Sequence, residues 1–94
     1  MTEQEINIAK QKHGTVFHLI VEDKEALLRK PTRKDLQHAT AVSNGDAFAF
    51  NEAILNDCWI SGDEEIKTDD DYFLAASGQL DKIIQIKQAE IKKL

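Results

Sequence analysis

The chain has 94 residues, 41% apolar and 31% charged, with a net charge of −5, the balance of one globular domain rather than a disordered segment. The negative charge argues against broad electrostatic binding to nucleic acid, which needs cations to displace counterions. No apolar run approaches the roughly 20 residues of a membrane span, and a single Cys58 forms no internal disulfide, as suits a reducing compartment.

In chain order, Thr2 and Glu5 have the spacing of a capping box and predict a helix over 3–12 that Gly14 ends. Only Ile6, Ile8 and Ala9 are apolar there, so residues 1–14 read as a short helix or arm ahead of a single domain over 15–94. Residues 15–22, TVFHLIVE, are β-branched and aromatic and predict a strand. Alternation places Phe17, Leu19 and Val21 on one face and Val16, His18 and Ile20 on the other. A turn at Asp23-Lys24 and a second strand over 25–30 complete a hairpin that Pro31 ends. A lone hairpin is unstable in water, so its apolar face must rest on helices.

Thr32 and Asp35 start a helix over 33–43, with Leu36, Ala39 and Val42 as its expected buried stripe. Asn44-Gly45 stops it, and Asp46 caps the next helix, 47–58. Phe50, Ile54 and Cys58 define one face of that helix, and Phe48, Leu55 and Trp59 a second. A helix apolar on two faces belongs between layers, so this one is expected at the centre. Trp59 reads first as the anchor of its exit and second as a ring facing a partner. Gly62 then breaks the chain into an acidic turn.

Asp69, Asp70 and Asp71 suit the positive end of a helix dipole. The apolar stripe from Phe73 through Leu80, Ile83 and Ile84 to Ile91 and Leu94 predicts one long C-terminal helix reaching about Lys93. Such a helix is as long as the whole body and overhangs it. Its apolar end marks Ile84, Ile86, Ile91 and Leu94, together with Trp59, as candidate partner-binding residues, the partner being a second copy or a foreign chain. The fold class is therefore α+β: an N-terminal β-hairpin on a layer of three to four helices, with a long last helix.

No constellation for chemistry emerges. The acidic stretch GDEEIKTDDD lacks the spacing of a calcium loop. His13, His18, His38 and Cys58 match no zinc-ligand pattern, and Cys58 sits on an apolar helix face, where a thiol is buried and inert. No catalytic residue, metal or cofactor is assigned. The helix pair over 32–58, preceded by basic residues around Pro31, has the outline of a helix-turn-helix and gives a small DNA-binding regulator as the alternative. Its second helix, however, opens Ala47-Phe48-Ala49-Phe50, a poor surface for reading base edges.

Taken together, a leading strand pair, LLRKPTRKDL opening a helix, NEAILNDCWISGDEEI, and DDDYFLAASGQL before an Ile/Lys-rich end resemble the small tail assembly chaperones of long-tailed phages and prophages. The likeness covers residues 15–94 and the short form of the family, some of whose members are also made with a frameshifted extension. It implies a non-enzymatic protein of the bacterial cytoplasm that binds the tape-measure protein and keeps it soluble while the tail tube assembles. It gives no catalytic residues to carry over.

Overall fold

A computed structural model describes residues 1–94. The fold is α+β, and its elements form where local chemistry starts and stops them. Helix α1, Glu3–His13, begins where the Thr2 side chain accepts the Glu5 N–H, and ends at Gly14 with φ +79°. Strands β1, Val16–Val21, and β2, Lys24–Arg29, pair antiparallel with Val21 opposite Lys24. The turn is thus Glu22-Asp23, one residue earlier than the sequence suggests. Glu22 takes φ +54°, and the Tyr72 hydroxyl donates to Asp23 Oδ1 at 2.8 Å, fixing the turn from outside the hairpin.

Helix α2, Arg33–Ser43, carries a full capping box between Thr32 and Asp35. Helix α3, Ala47–Cys58, starts where Asp46 Oδ1 accepts the N–H groups of Phe48 and Ala49. The expected stripe on α2 needs correcting: Val42 is 55% exposed and Ser43 is buried instead. At about 100° per residue, Ser43 lies about 20° from Leu36 around the helix, whereas Val42 lies about 120° away. The Ser43 hydroxyl is satisfied by donating to the Thr40 carbonyl at 3.2 Å.

A third strand follows α3 with no loop between them. Residues Trp59–Gly62 form β3, paired antiparallel with β2, so the sheet runs β1-β2-β3 with β2 in the middle. Leu27 opposes Ser61 and Leu28 opposes Trp59, which leaves Ile60 as the extra residue of a bulge. Past Gly62 the pairing continues through Asp63, whose N–H donates to the Glu25 carbonyl while its carboxylate accepts the Glu25 N–H, both at 2.9 Å.

The long C-terminal helix does not form. The chain makes a single turn, α4, at Glu65–Thr68, then α5, Asp70–Ser77, then a 3-10 turn at Leu80–Ile83, and residues 84–94 have no regular structure. Gly78 weakens the helix by roughly 1 kcal/mol relative to Ala, and the tighter turn beyond it brings both Leu80 and Ile83 into the core. After Ile84 there is no body left to pack on, and a short helix without tertiary support does not hold in water.

The main core lies between one face of the sheet and the helices. Leu19, Val21, Ala26 and Leu28 meet Ala39, Ile54, Leu55, Cys58, Ile66, Ala76, Leu80 and Ile83 there. Helix α3 touches α2, α4, α5, β2 and the 3-10 turn, which makes it the central helix. Leu27, out of phase with its neighbours, is buried on the opposite face, under Ile8 and Ala9 of α1. No helix is long and apolar enough to cross a membrane.

Arg29 ties the strands to the helices. Its guanidinium donates to both carboxylate oxygens of Asp35, at 2.6 and 3.0 Å, and to the Asp57 carbonyl near the end of α3, at 2.7 Å. Asp35 also accepts the Thr32 N–H at 2.7 Å. The Arg29 guanidinium, ahead of the Thr32 bonds, holds the Asp35 carboxyl well below its ordinary range. A depressed carboxylate stabilises the fold above the unfolded value near pH 4, and that contribution is lost as pH falls through the folded value. The pair is mostly but not wholly covered, so Asp35→Asn should cost about 2 kcal/mol at pH 7. The gap in urea midpoint between wild type and variant should narrow steadily below about pH 4. A gap equal at pH 7 and pH 3 would show that the ion pair is not its source.

Candidate functional site

Strand β1 forms one edge of the sheet. An edge strand exposes a row of N–H and C=O groups that another chain can pair with, and proteins usually blunt it with Lys, Pro or a bulge. Here VFHLIV contains neither Lys nor Pro, and its pairing with β2 is regular. No backbone or side-chain hydrogen bond from elsewhere in the chain satisfies its outer edge.

Beside this edge lies a groove of about 530 Å³, lined by Phe17, Leu19 and Val21 from β1 and by Ala75, Leu80 and Ile83 from α5 and the 3-10 turn. The same residues explain both features. Inward alternation on β1 supplies one apolar wall, and the departure of the chain from α5 at Gly78 leaves the other wall standing off from the strand. Such a site offers main-chain hydrogen bonds along one side and side-chain pockets at alternate positions, the requirements for receiving an extended peptide. Glu22 and Lys82 are the charged groups at its margin.

The residues singled out from sequence do not converge. Trp59 is half-buried against the core at the start of β3, with Lys67 Nζ 4.2 Å from its ring centroid, a cation–π arrangement. It lines a separate hollow of about 550 Å³ with Ile8, Ile60 and Leu27, beneath α1. Ile84 is half-buried against the core. Ile86, Ile91 and Leu94 stand in solvent, Ile86 being 82% and Ile91 98% exposed. The groove along β1 escaped the sequence because its outline depends on which hairpin strand lies at the edge. The absence of Lys and Pro from VFHLIV is the one signal that pointed to it.

Several of the polar groups considered for chemistry are occupied structurally. Cys58 is fully buried, and burial pushes its thiol up to about 11. His38 Nδ1 lies 2.8 Å from Asp57 Oδ2, and His18 Nε2 lies 3.4 Å from Glu25 Oε1. In the acidic stretch, Asp63 holds β2, Asp69 caps α5, and Glu64 pairs with Lys67. No group of three or more His, Cys, Asp or Glu side chains is placed to hold a metal ion. Helix α3, the second of the helix pair, presents Phe48, Glu52 and Asn56 to solvent and contains no Lys or Arg. Comparison of the chain with protein-family models, with curated proteins and with solved structures finds no match.

Proposed function

We propose that this protein is a non-enzymatic binding protein that covers an extended apolar segment of a protein partner, in the manner of a phage tail assembly chaperone holding the tape-measure protein in the host cytoplasm. The observation that carries the reading is the unblunted β1 edge with an apolar groove alongside it. An aggregation-prone client is rich in segments that seek a strand edge. A chaperone that lends its own edge satisfies the client's backbone while shielding its side chains. The burial of the only thiol and the pairing of His18, His38, Asp63, Glu64 and Asp69 within the fold fit a protein that binds rather than transforms.

The test is co-expression with the tape-measure protein of the same phage or prophage. The client should remain soluble and co-purify with the wild-type chain. Ala75→Arg places a long cation into the groove from an exposed helix position, and it should abolish both effects while the chain still unfolds cooperatively in urea. Client capture undiminished by Ala75→Arg would remove the groove from the binding mechanism. A sequence-specific complex with duplex DNA at nanomolar protein would overturn the whole reading in favour of a regulator.

A further inference from the structure

The groove and the unstructured C-terminal segment are complementary in four respects. The first is position. Ile83 lines the groove and is also the last residue before the segment begins, so the segment is rooted at the groove's rim. The second is pattern. Residues 84–89 read Ile-Gln-Ile-Lys-Gln-Ala, and in an extended chain Ile84 and Ile86 share one face while Gln85 and Lys87 share the other. The helical stripe expected of this segment is thus replaced by a strand-like alternation at its start.

The third is length. Strand β1 has six residues, roughly 20 Å at about 3.4 Å each, and an equal run from 84 spans the same distance. The fourth is charge. Residues 84–94 contain three Lys and one Glu, a net +2, so of the total of −5 the rest of the chain carries −7. With Ile84 and Ile86 turned into the groove, Lys87 falls by strand alternation on the sheet face that carries Glu25, whose carboxylate already accepts from the Met1 amino group.

In the single chain the segment does not use this site. Ile86 and Ile91 remain in solvent and the outer edge of β1 stays open. Two copies related by a two-fold axis remove both deficits together, since such an interface is self-complementary and each copy has one segment and one edge to exchange.

We infer that the C-terminal segment of a second copy docks as a fourth strand on β1, Ile84 exchanging its half-buried place on its own core for the groove and Ile86 entering with it, so that two chains exchange their ends. This inference rests on the reading of the groove as a peptide-binding site. It gives that site a resident occupant, which a client must displace. A dimer of exchanged segments is then the resting form, and client capture is competitive with self-association.

Size-exclusion chromatography with light scattering on the full chain tests the exchange. The wild type should have the mass of two copies at micromolar concentration. Ala75→Arg blocks the groove and Ile86→Asp spoils the segment; both positions are exposed, so both variants should fold cooperatively, have the mass of one copy and unfold at a urea midpoint that no longer depends on protein concentration. An equimolar mixture of the two should recover the two-copy mass, because the Ala75→Arg chain still has a good segment and the Ile86→Asp chain still has an open groove. The mixed pair keeps one docked strand of two and should dissociate at lower dilution than the wild type.

A wild type with the mass of one copy overturns the inference, and slowed hydrogen exchange at β1 that depends on residues 85–94 in such a monomer would assign the groove to the chain's own end. A dimer indifferent to both variants, or a mixture that stays monomeric, also overturns it. The two ideas fail separately. A monomeric wild type whose client capture is lost in Ala75→Arg keeps the proposed function and removes the exchange. Recovery in the mixture with client capture untouched by Ala75→Arg does the reverse.

Discussion

Gly62→Ala should destabilise the fold by about 3–5 kcal/mol, or prevent folding, although the residue is on the surface. Gly62 has φ +142°, and a Cβ there would stand 2.5 Å from Ala26 Cα, 2.5 Å from the Glu25 carbonyl oxygen and 2.7 Å from Ala26 Cβ. Those atoms belong to the middle strand, which is held by β1 on its other side. They cannot retreat without breaking the pairing with β1. The relief available is to peel β3 away, which also forfeits the Asp63–Glu25 bonds and the seat of Trp59. Gly45 is the control. It too has a positive φ, +88°, but nothing lies within 4 Å of its missing Cβ, so Gly45→Ala should cost about 1 kcal/mol, the backbone term alone. Equal urea midpoints for the two variants would show that the close approach of β3 to β2 is not what Gly62 provides.

Ile54→Ala is expected to cost about 2–5 kcal/mol, a large share of the roughly 5–15 kcal/mol that stabilises a domain. Ile54 is fully buried on the helix that touches five other elements, so the vacated volume has walls on several sides and little freedom to collapse. Phe48→Ala, six residues earlier on the same helix, removes a larger side chain that is 56% exposed. It should move the midpoint by no more than about 0.5 kcal/mol. The contrast separates burial from helix propensity, since both changes introduce Ala. If the two variants unfold alike, α3 is not the centre of the domain.

Much of the framework was legible in the chain because it depends on neighbours a few residues apart. Thr2, Thr32, Asp46 and Asp69 read as helix starts, and each side chain accepts the expected backbone N–H. The alternation of β1 and the double apolar face of α3 likewise follow from period alone. The third strand was not legible. Trp-Ile-Ser-Gly is four residues long and follows a helix directly, and it becomes a strand because the free edge of β2 lies within reach. Val42 and Ser43 exchanged roles because a three-residue spacing drifts around a helix that packs along a nearly straight line.

What the sequence by itself determined is the local elements up to Cys58 with their caps and breaks, the start of α5, the α+β class and the central position of α3. These are short-range properties, set by hydrogen-bond geometry and side-chain period. Only the tertiary structure decided where the C-terminal stripe stops being helix, which strand lies at the edge, and that a groove opens beside it. The apolar stripe continues past Ile84 in the sequence, but a helix there requires a surface to pack on, and the body ends at Ile83 and Ile84. Whether β1 is an edge or a middle strand depends on residues 59–62, some 40 positions away along the chain. An edge, a groove and an unsupported end are properties of how distant segments meet, and no local pattern encodes that meeting.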